Sequence, residues 1–160
     1  MDPSITRTDK YKMKLVLKYS IIATVGYVII FLLMRLMNLH YIIGLRGLNY
    51  VLLFIVTAFA IKTYKEESQD QMSYLEGFLT SFLVTNVSFT LFPFLMYIYL
   101  KFLDRGFLEF IVNYSPMGIQ LSPLSAALLI FFEGHSVGIV ISLILMQYFK
   151  KNVNKISKII

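Results

Sequence analysis

Long apolar runs alternate with short polar segments along this chain, and four of the runs are long enough to cross a membrane. About 20 apolar residues are needed to span a hydrocarbon core roughly 30 Å thick. The pattern predicts four spans and a polar tail, at about 15–35, 41–61, 74–103, 123–149 and 150–160. The predicted fold is therefore all-α, an integral membrane bundle of four transmembrane helices that forms a single membrane domain over residues 1–160.

A shorter segment of mixed polarity lies between the third and fourth runs. Its apolar residues recur at helical spacing, and charged residues lie between them; the apolar positions are Phe107, Phe110, Ile111 and Tyr114. This pattern is typical of an amphipathic helix that lies in the membrane interface. We therefore predict a short interfacial helix at about 104–115, between spans 3 and 4.

The composition supports a lipid environment. Hydrophobic residues make up 58% of the 160 residues and charged residues 15%, and the mean hydropathy is +0.71. An ordinary soluble domain is about half apolar and about a quarter charged. The chain has no cysteine, which excludes disulfides, thiolate metal sites and cysteine nucleophiles. Because little of the chain lies outside the predicted spans, any function must reside in the bundle within the lipid bilayer, in its surface helix or in its partners.

The basic residues are divided unevenly between the two sides of the predicted bundle. The net charge is +6, and eleven of the 15 Lys and Arg residues fall before span 1, near the start of span 1, between spans 2 and 3, or in the C-terminal tail. Such an excess marks the cytoplasmic side of a membrane protein, so we expect both termini to be cytoplasmic. The basic residues do not alternate with aromatic residues as in a nucleic-acid groove, so nucleic acid is not an expected partner.

The fourth span contains the pentapeptide "GHSVG", residues 134–138, which fits the G-x-S-x-G motif of serine hydrolases. That motif needs a strand, a sharp turn and a helix to expose the serine hydroxyl. Here the run is continuously apolar and carries no turn signal on either side. His135 is the immediate neighbour of Ser136, and adjacent helical residues do not face each other. We therefore reject the hydrolase interpretation and predict a protein that is not an enzyme.

The same glycines also fit a helix-packing motif. Gly134, Gly138 and Ser142 are spaced by four, so they share one helix face that another backbone can approach closely. This face is expected either to contact another helix of the bundle or to join two protomers.

Two ionisable residues, Glu133 and His135, lie inside the fourth span, where a charged group is costly unless it is paired, hydrated or neutralised. One interpretation is a structural ion pair of Glu133 with Arg35, at the end of span 1, or Arg46, near the start of span 2. The other is a protonatable site that serves a conduit.

Polar residues of span 3, at Thr85, Asn86, Ser88 and Thr90, could extend such a path, although Ser and Thr in spans more often bond to their own helix. No metal site is predicted, because Glu133 and His135 are two residues apart and helical metal pairs use a spacing of three or four. No cofactor is expected.

Several segments together resemble a known family. They are "LKYSIIATVGYVIIFLL", "FAIKTYKEE", "SYLEGFLTSFL" and "GIVISLILMQYFKK", and the resemblance covers about Lys14 to Lys151. In their order and spacing they are similar to a small four-span membrane family of unknown function found chiefly in Bacteroidota. The resemblance implies a multi-pass protein of the inner membrane of a Gram-negative bacterium and implies no particular activity.

The sequence favours a non-enzymatic accessory or assembly component that acts through helix-helix contacts. Its expected partners are the lipid bilayer and either other membrane proteins or further copies of the chain. The alternative is a small transporter or proton-linked conduit that uses Glu133 and His135.

Overall fold

The computed structural model describes residues 3–39, 43–68, 72–104, 106–109 and 122–156. These residues are almost entirely helical and contain no β-strand. As predicted, four helices are long and apolar enough to cross a membrane: α1 (Pro3–Leu36), α2 (Gly47–Glu67), α3 (Tyr74–Ile98) and α4 (Pro123–Ile156). A short 3-10 turn, Ile43–Arg46, precedes α2, and a π-helical turn, Tyr99–Leu103, continues α3.

The second span lies further along the chain than the predicted 41–61. Gly44 and Gly47 accompany the 3-10 turn, where the conformational freedom of glycine disfavours an early start of the helix. At its other end α2 continues past Ile61, because Tyr64 is buried in the bundle while the neighbouring lysine can extend its stem toward water. Of the predicted interfacial helix, residues 106–109 are helical, and 110–115 lie outside the described residues.

The starts of α3 and α4 are set by local hydrogen bonds. Ser73 and Glu76 form a capping box: the Glu76 amide donates to Ser73 Oγ at 3.2 Å, and the Ser73 amide donates to the Glu76 carboxylate at 2.8 Å. At the start of α4 the Ser125 amide donates to Ser122 Oγ at 3.1 Å, and Pro123 occupies the first helical position.

The four helices alternate in direction, and α3 lies at the centre of the bundle. It contacts α1, α2 and α4, whereas α1 and α4 make little contact with each other. The aromatic centre of this arrangement is Tyr27 of α1, whose ring centroid lies 5.4 Å from those of both Phe89 and Phe92 of α3. We call the end of the bundle that holds Arg35 the distal end, and the opposite end, which holds the start of α1 and the end of α4, the proximal end.

Polar side chains lie inside the bundle and apolar side chains cover its surface. Apart from tyrosines such as Tyr27, every buried polar residue of the described chain is a serine or threonine, and large apolar side chains are exposed along all four helices. Many of the hydroxyls bond to backbone carbonyls; Ser20 Oγ of α1, for example, donates across the helix boundary to the Val84 carbonyl of α3 at 3.1 Å. This distribution is expected of a helical bundle surrounded by lipid, because polar side chains on its exterior would find no water to bind.

Candidate functional site

The small residues of α4 face α3. An added Cβ at Gly134 would overlap the ring of Phe89, and one at Gly138 would lie 2.9 Å from both Cβ and Oγ1 of Thr85. Ser142, one turn further along α4, is fully buried. Gly134, Gly138 and Ser142, which we call the glycine face, therefore form a close contact between α4 and α3 of the same chain, and Phe89 and Thr85 of α3 fill the space beside the two glycines.

The pentapeptide "GHSVG" lies in the interior of α4, with more than two helical turns on either side. Ser136 Oγ donates to the Phe132 carbonyl at 2.9 Å, the usual bond of a helical serine to its own backbone. The ring nitrogens of His135 contact the Phe131 carbonyl and Asn86 Oδ1 rather than the Ser136 hydroxyl. The strand-turn-helix geometry of a nucleophile elbow is absent from this stretch of the described chain.

Glu133 lies on the surface of α4, on the side that faces α2. Its side chain is exposed, and the Tyr50 hydroxyl of α2 donates to Glu133 Oε1. Glu133 follows Pro123 by ten residues, which places it about 15 Å along the helix from the distal end of α4. Tyr50 contacts Glu133 but lies in the first turn of α2. Since Glu133 is about 15 Å from the start of α4, the start of α2 lies deeper in the bundle than the start of α4. Among the described side chains, the Glu133 carboxyl group on this exposed surface of a candidate membrane-spanning helix thus contacts one neutral hydroxyl.

Arg35 is not the partner of Glu133, which corrects the first of the two predicted ion pairs. Its guanidinium donates to Asp104 Oδ2 at 2.5 Å, at the distal end of the bundle. The reason is the arrangement of the helices: α1 lies next to α3 and away from α4, so the end of α1 meets the residues that follow α3. The second predicted partner, Arg46, lies in the 3-10 turn, and its side chain is outside the described residues.

Asp104 is the centre of a polar cluster that the sequence interpretation missed. Its carboxylate accepts hydrogen bonds from the Tyr99 hydroxyl at 3.1 Å and from the Phe107 amide at 2.9 Å, in addition to that from Arg35. The Arg35 guanidinium also lies over the Phe107 ring, 5.5 Å from its centroid. We call these four residues the distal latch, because they tie the end of α1 to the end of α3. The sequence signal that could have revealed the cluster is Asp104, because aspartate is a common N-cap residue. An N-cap carboxylate accepts a hydrogen bond from an amide three positions later, here that of Phe107.

The electrostatics of Asp104 follow from these contacts. Burial tends to raise the pKa of the Asp104 carboxyl, but the hydrogen bonds from the Phe107 amide, the Tyr99 hydroxyl and Arg35 outweigh it, so the pKa lies below its usual value. The carboxylate is therefore ionised at neutral pH and serves as a fixed negative charge beside Arg35.

His135 occupies the opposite flank of α4 from Glu133. Its Nδ1 donates to the Phe131 carbonyl at 2.7 Å, and its Nε2 lies 3.1 Å from Asn86 Oδ1 of α3. A neutral imidazole makes both bonds when the Asn86 amide is turned so that its nitrogen donates to Nε2. Residues two apart on a helix are about 200° apart around its axis, so Glu133 and His135 point away from each other.

The remaining polar residues of α3 bond to their own helix. Thr85 Oγ1 donates to the Phe82 carbonyl, Ser88 Oγ to the Val84 carbonyl and Thr90 Oγ1 to the Asn86 carbonyl, at 2.9, 2.6 and 2.8 Å. They do not connect Glu133 with His135, so the predicted path that would use both residues is not assembled among the described side chains. Across those same residues, no group of three or more His, Cys, Asp or Glu side chains is placed to hold a metal ion.

Comparison with known proteins gives one result that bears on identity. Searches of curated proteins and of solved structures return no match. A scan against family models matches residues 18–151 to the family described as "Protein of unknown function (DUF4199)". That match covers more than half of the chain and all four membrane-spanning helices in whole or large part. The chain therefore belongs to the DUF4199 family of proteins of unknown function.

Proposed function

We propose that this protein is a non-enzymatic accessory or assembly component of a bacterial inner membrane, and that it acts by binding another membrane protein through the exposed side of α4. Both termini would lie in the cytoplasm, with the distal latch on the other side. The observation that carries the proposal is Glu133, an ionisable side chain exposed at membrane depth with the Tyr50 hydroxyl as its partner.

Two features of α4 support an interaction between proteins. The first is that the glycine face is already filled by α3, so further association must use the remaining surface of the helix. The second is that Glu133 shares this surface with apolar residues one to three turns away, which are also exposed: Leu129, Val140 and Ile144. We call these four residues the Glu133 face. A polar residue within an apolar helix surface is typical of contacts between transmembrane helices.

The alternative function, a conduit that uses Glu133 and His135 together, receives less support. The two residues lie on opposite flanks of α4 and contact different helices. A proton or solute passing from one to the other would have to go around α4 or through its contact with α3, which Phe89 and Thr85 fill.

The proposal is tested by blocking the Glu133 face with a bulky side chain. We expect Val140→Trp to lower recovery of a co-purified membrane protein by about tenfold, a loss of about 1.4 kcal/mol of association free energy. The full chain would be extracted from its native membrane in lipid nanodiscs, and co-purified proteins would be quantified by mass spectrometry.

The matched control is Ile29→Trp, on the lipid-exposed surface of α1, where the exposure of the original side chain is similar. This variant should retain the wild-type level of co-purified protein. Recovery of the wild-type chain with lipid alone, or an equal loss in both variants, would contradict the proposal.

A further inference from the structure

We infer that the partner of the Glu133 face is a transmembrane helix of a different protein that carries a lysine or arginine at the depth of Glu133. This inference rests on the proposed function and adds the chemistry by which the partner is recognised. Its basis is the mismatch between the charge that Glu133 can carry and the neutral group that it contacts.

Tyr50 stabilises the Glu133 carboxylate incompletely. The phenol donates one hydrogen bond and carries no charge. Glu133 lies about 15 Å from the distal end of α4, deeper than lipid headgroups ordinarily reach, on an exposed surface. Since ionised groups at such depth are usually paired with one another, the surface is complementary to a cation on a neighbouring helix.

The described Lys and Arg side chains of this chain lie away from Glu133. Arg35 pairs with Asp104 in the distal latch. Lys101 Nζ lies 3.1 Å from the Tyr97 hydroxyl and over the Phe102 ring, 5.2 Å from its centroid. The other described lysines lie toward the proximal end, as with Lys12 over the Tyr64 ring. None of these cations is placed beside Glu133.

The described basic side chains of a second copy are not placed to supply this charge either. Copies inserted in the same direction hold equivalent residues at equal depth, so Glu133 of one copy meets the residues level with position 133 in another. Among the described basic side chains, His135, two residues away on α4, lies closest to that level. Its two nitrogens already contact the Phe131 carbonyl and Asn86 Oδ1. A lysine or arginine from a different protein is therefore the better match.

Site-specific photocrosslinking in the native membrane tests this inference. A diazirine analogue of leucine at Leu129, one turn from Glu133 on the same face and close to leucine in size, would report the neighbouring helix without blocking it. We expect an adduct with another membrane protein whose crosslinked segment contains Lys or Arg in its distal half. Glu133→Gln should lower the adduct yield by about tenfold, or about 1.4 kcal/mol. His135→Gln, on the opposite flank of the same helix, should leave the yield unchanged.

Reversal of the charges gives the decisive result. Glu133→Lys should abolish the adduct, and replacement of the partner's basic residue by glutamate should restore it. An adduct between two copies, an adduct that Glu133→Gln does not weaken, or a loss in Arg46→Gln equal to that in Glu133→Gln would overturn the inference. Absence of any protein adduct would contradict the proposed function as well, whereas an adduct insensitive to Glu133→Gln would contradict the ion pair alone.

Discussion

Replacement of Gly134 by alanine should destabilise the contact between α3 and α4 by about 1 to 3 kcal/mol, the usual cost of overpacking. The new methyl group would overlap the ring of Phe89. That ring cannot move aside easily, because it is buried and stacks on the fully buried Tyr27. Association of helices in lipid depends on close packing, so the loss falls directly on the stability of the bundle. The measurement is the free energy of unfolding in mixed micelles.

A series of glycine variants provides the controls. Gly138→Ala should cost less than Gly134→Ala, because its methyl group would lie 2.9 Å from Thr85 Cβ and Oγ1, a smaller overlap than that with the Phe89 ring. Gly44→Ala should cost least, since nothing lies within 4 Å of its added Cβ. Phe89→Leu combined with Gly134→Ala should be more stable than the sum of the single effects predicts. Equal stability of the Gly134 and Gly44 variants would refute this account of the helix contact.

Replacement of Asp104 by asparagine should lower the free energy of unfolding by about 1.5 to 3 kcal/mol, the range for a lost hydrogen bond to a charged group. The substitution keeps the shape of the side chain but removes the charge that Arg35 contacts. Because the Asp104 and Arg35 side chains are only partly exposed, at 18% and 33%, water compensates for part of the loss and not all of it.

The control is an ion pair in solvent. Lys62 and Glu66 lie 3.9 Å apart on α2 with both side chains mostly exposed, so Glu66→Gln should change stability by less than about 0.5 kcal/mol. A double-mutant cycle with Arg35→Gln and Asp104→Asn should show coupling between the two residues. Independent effects of the two substitutions would mean that the distal latch does not depend on this ion pair.

The contribution of Asp104 should also depend on pH in a defined direction. Its pKa is lower in the folded protein than the unfolded value of about 3.9, so the latch contributes fully above that pH. Its stabilisation is lost as the pH falls through the lowered pKa and the carboxylate takes up a proton. The difference in stability between wild type and Asp104→Asn should therefore be constant near neutral pH and shrink below about pH 4. A difference that stays constant down to pH 2 would contradict this assignment.

The predicted starts of the spans can be compared with the starts of the helices. The predicted starts of the third and fourth spans, at 74 and 123, coincide with the starts of α3 and α4. In both cases the boundary carries its own signal, a capping box at Ser73 and an N-cap with proline at Ser122 and Pro123. The predicted start of the second span, at 41, precedes the start of α2 at Gly47, because the apolar residues before Gly47 are similar in composition to the helix but are separated from it by a 3-10 turn that contains Gly44.

The sequence by itself determined that the protein is a four-span membrane protein, and it identified Glu133 and His135 as ionisable residues within a span that require polar partners. Each transmembrane helix satisfies its own backbone, so length and polarity along the chain are sufficient to identify it. Helices that are apolar on all sides carry little information about which side faces which neighbour. The tertiary structure alone decided that Arg35 meets Asp104, that Tyr50 meets Glu133 and that His135 meets Asn86 on the opposite flank. Those contacts depend on the central position of α3 and on the rotation of α4 that its close fit against Phe89 and Thr85 imposes.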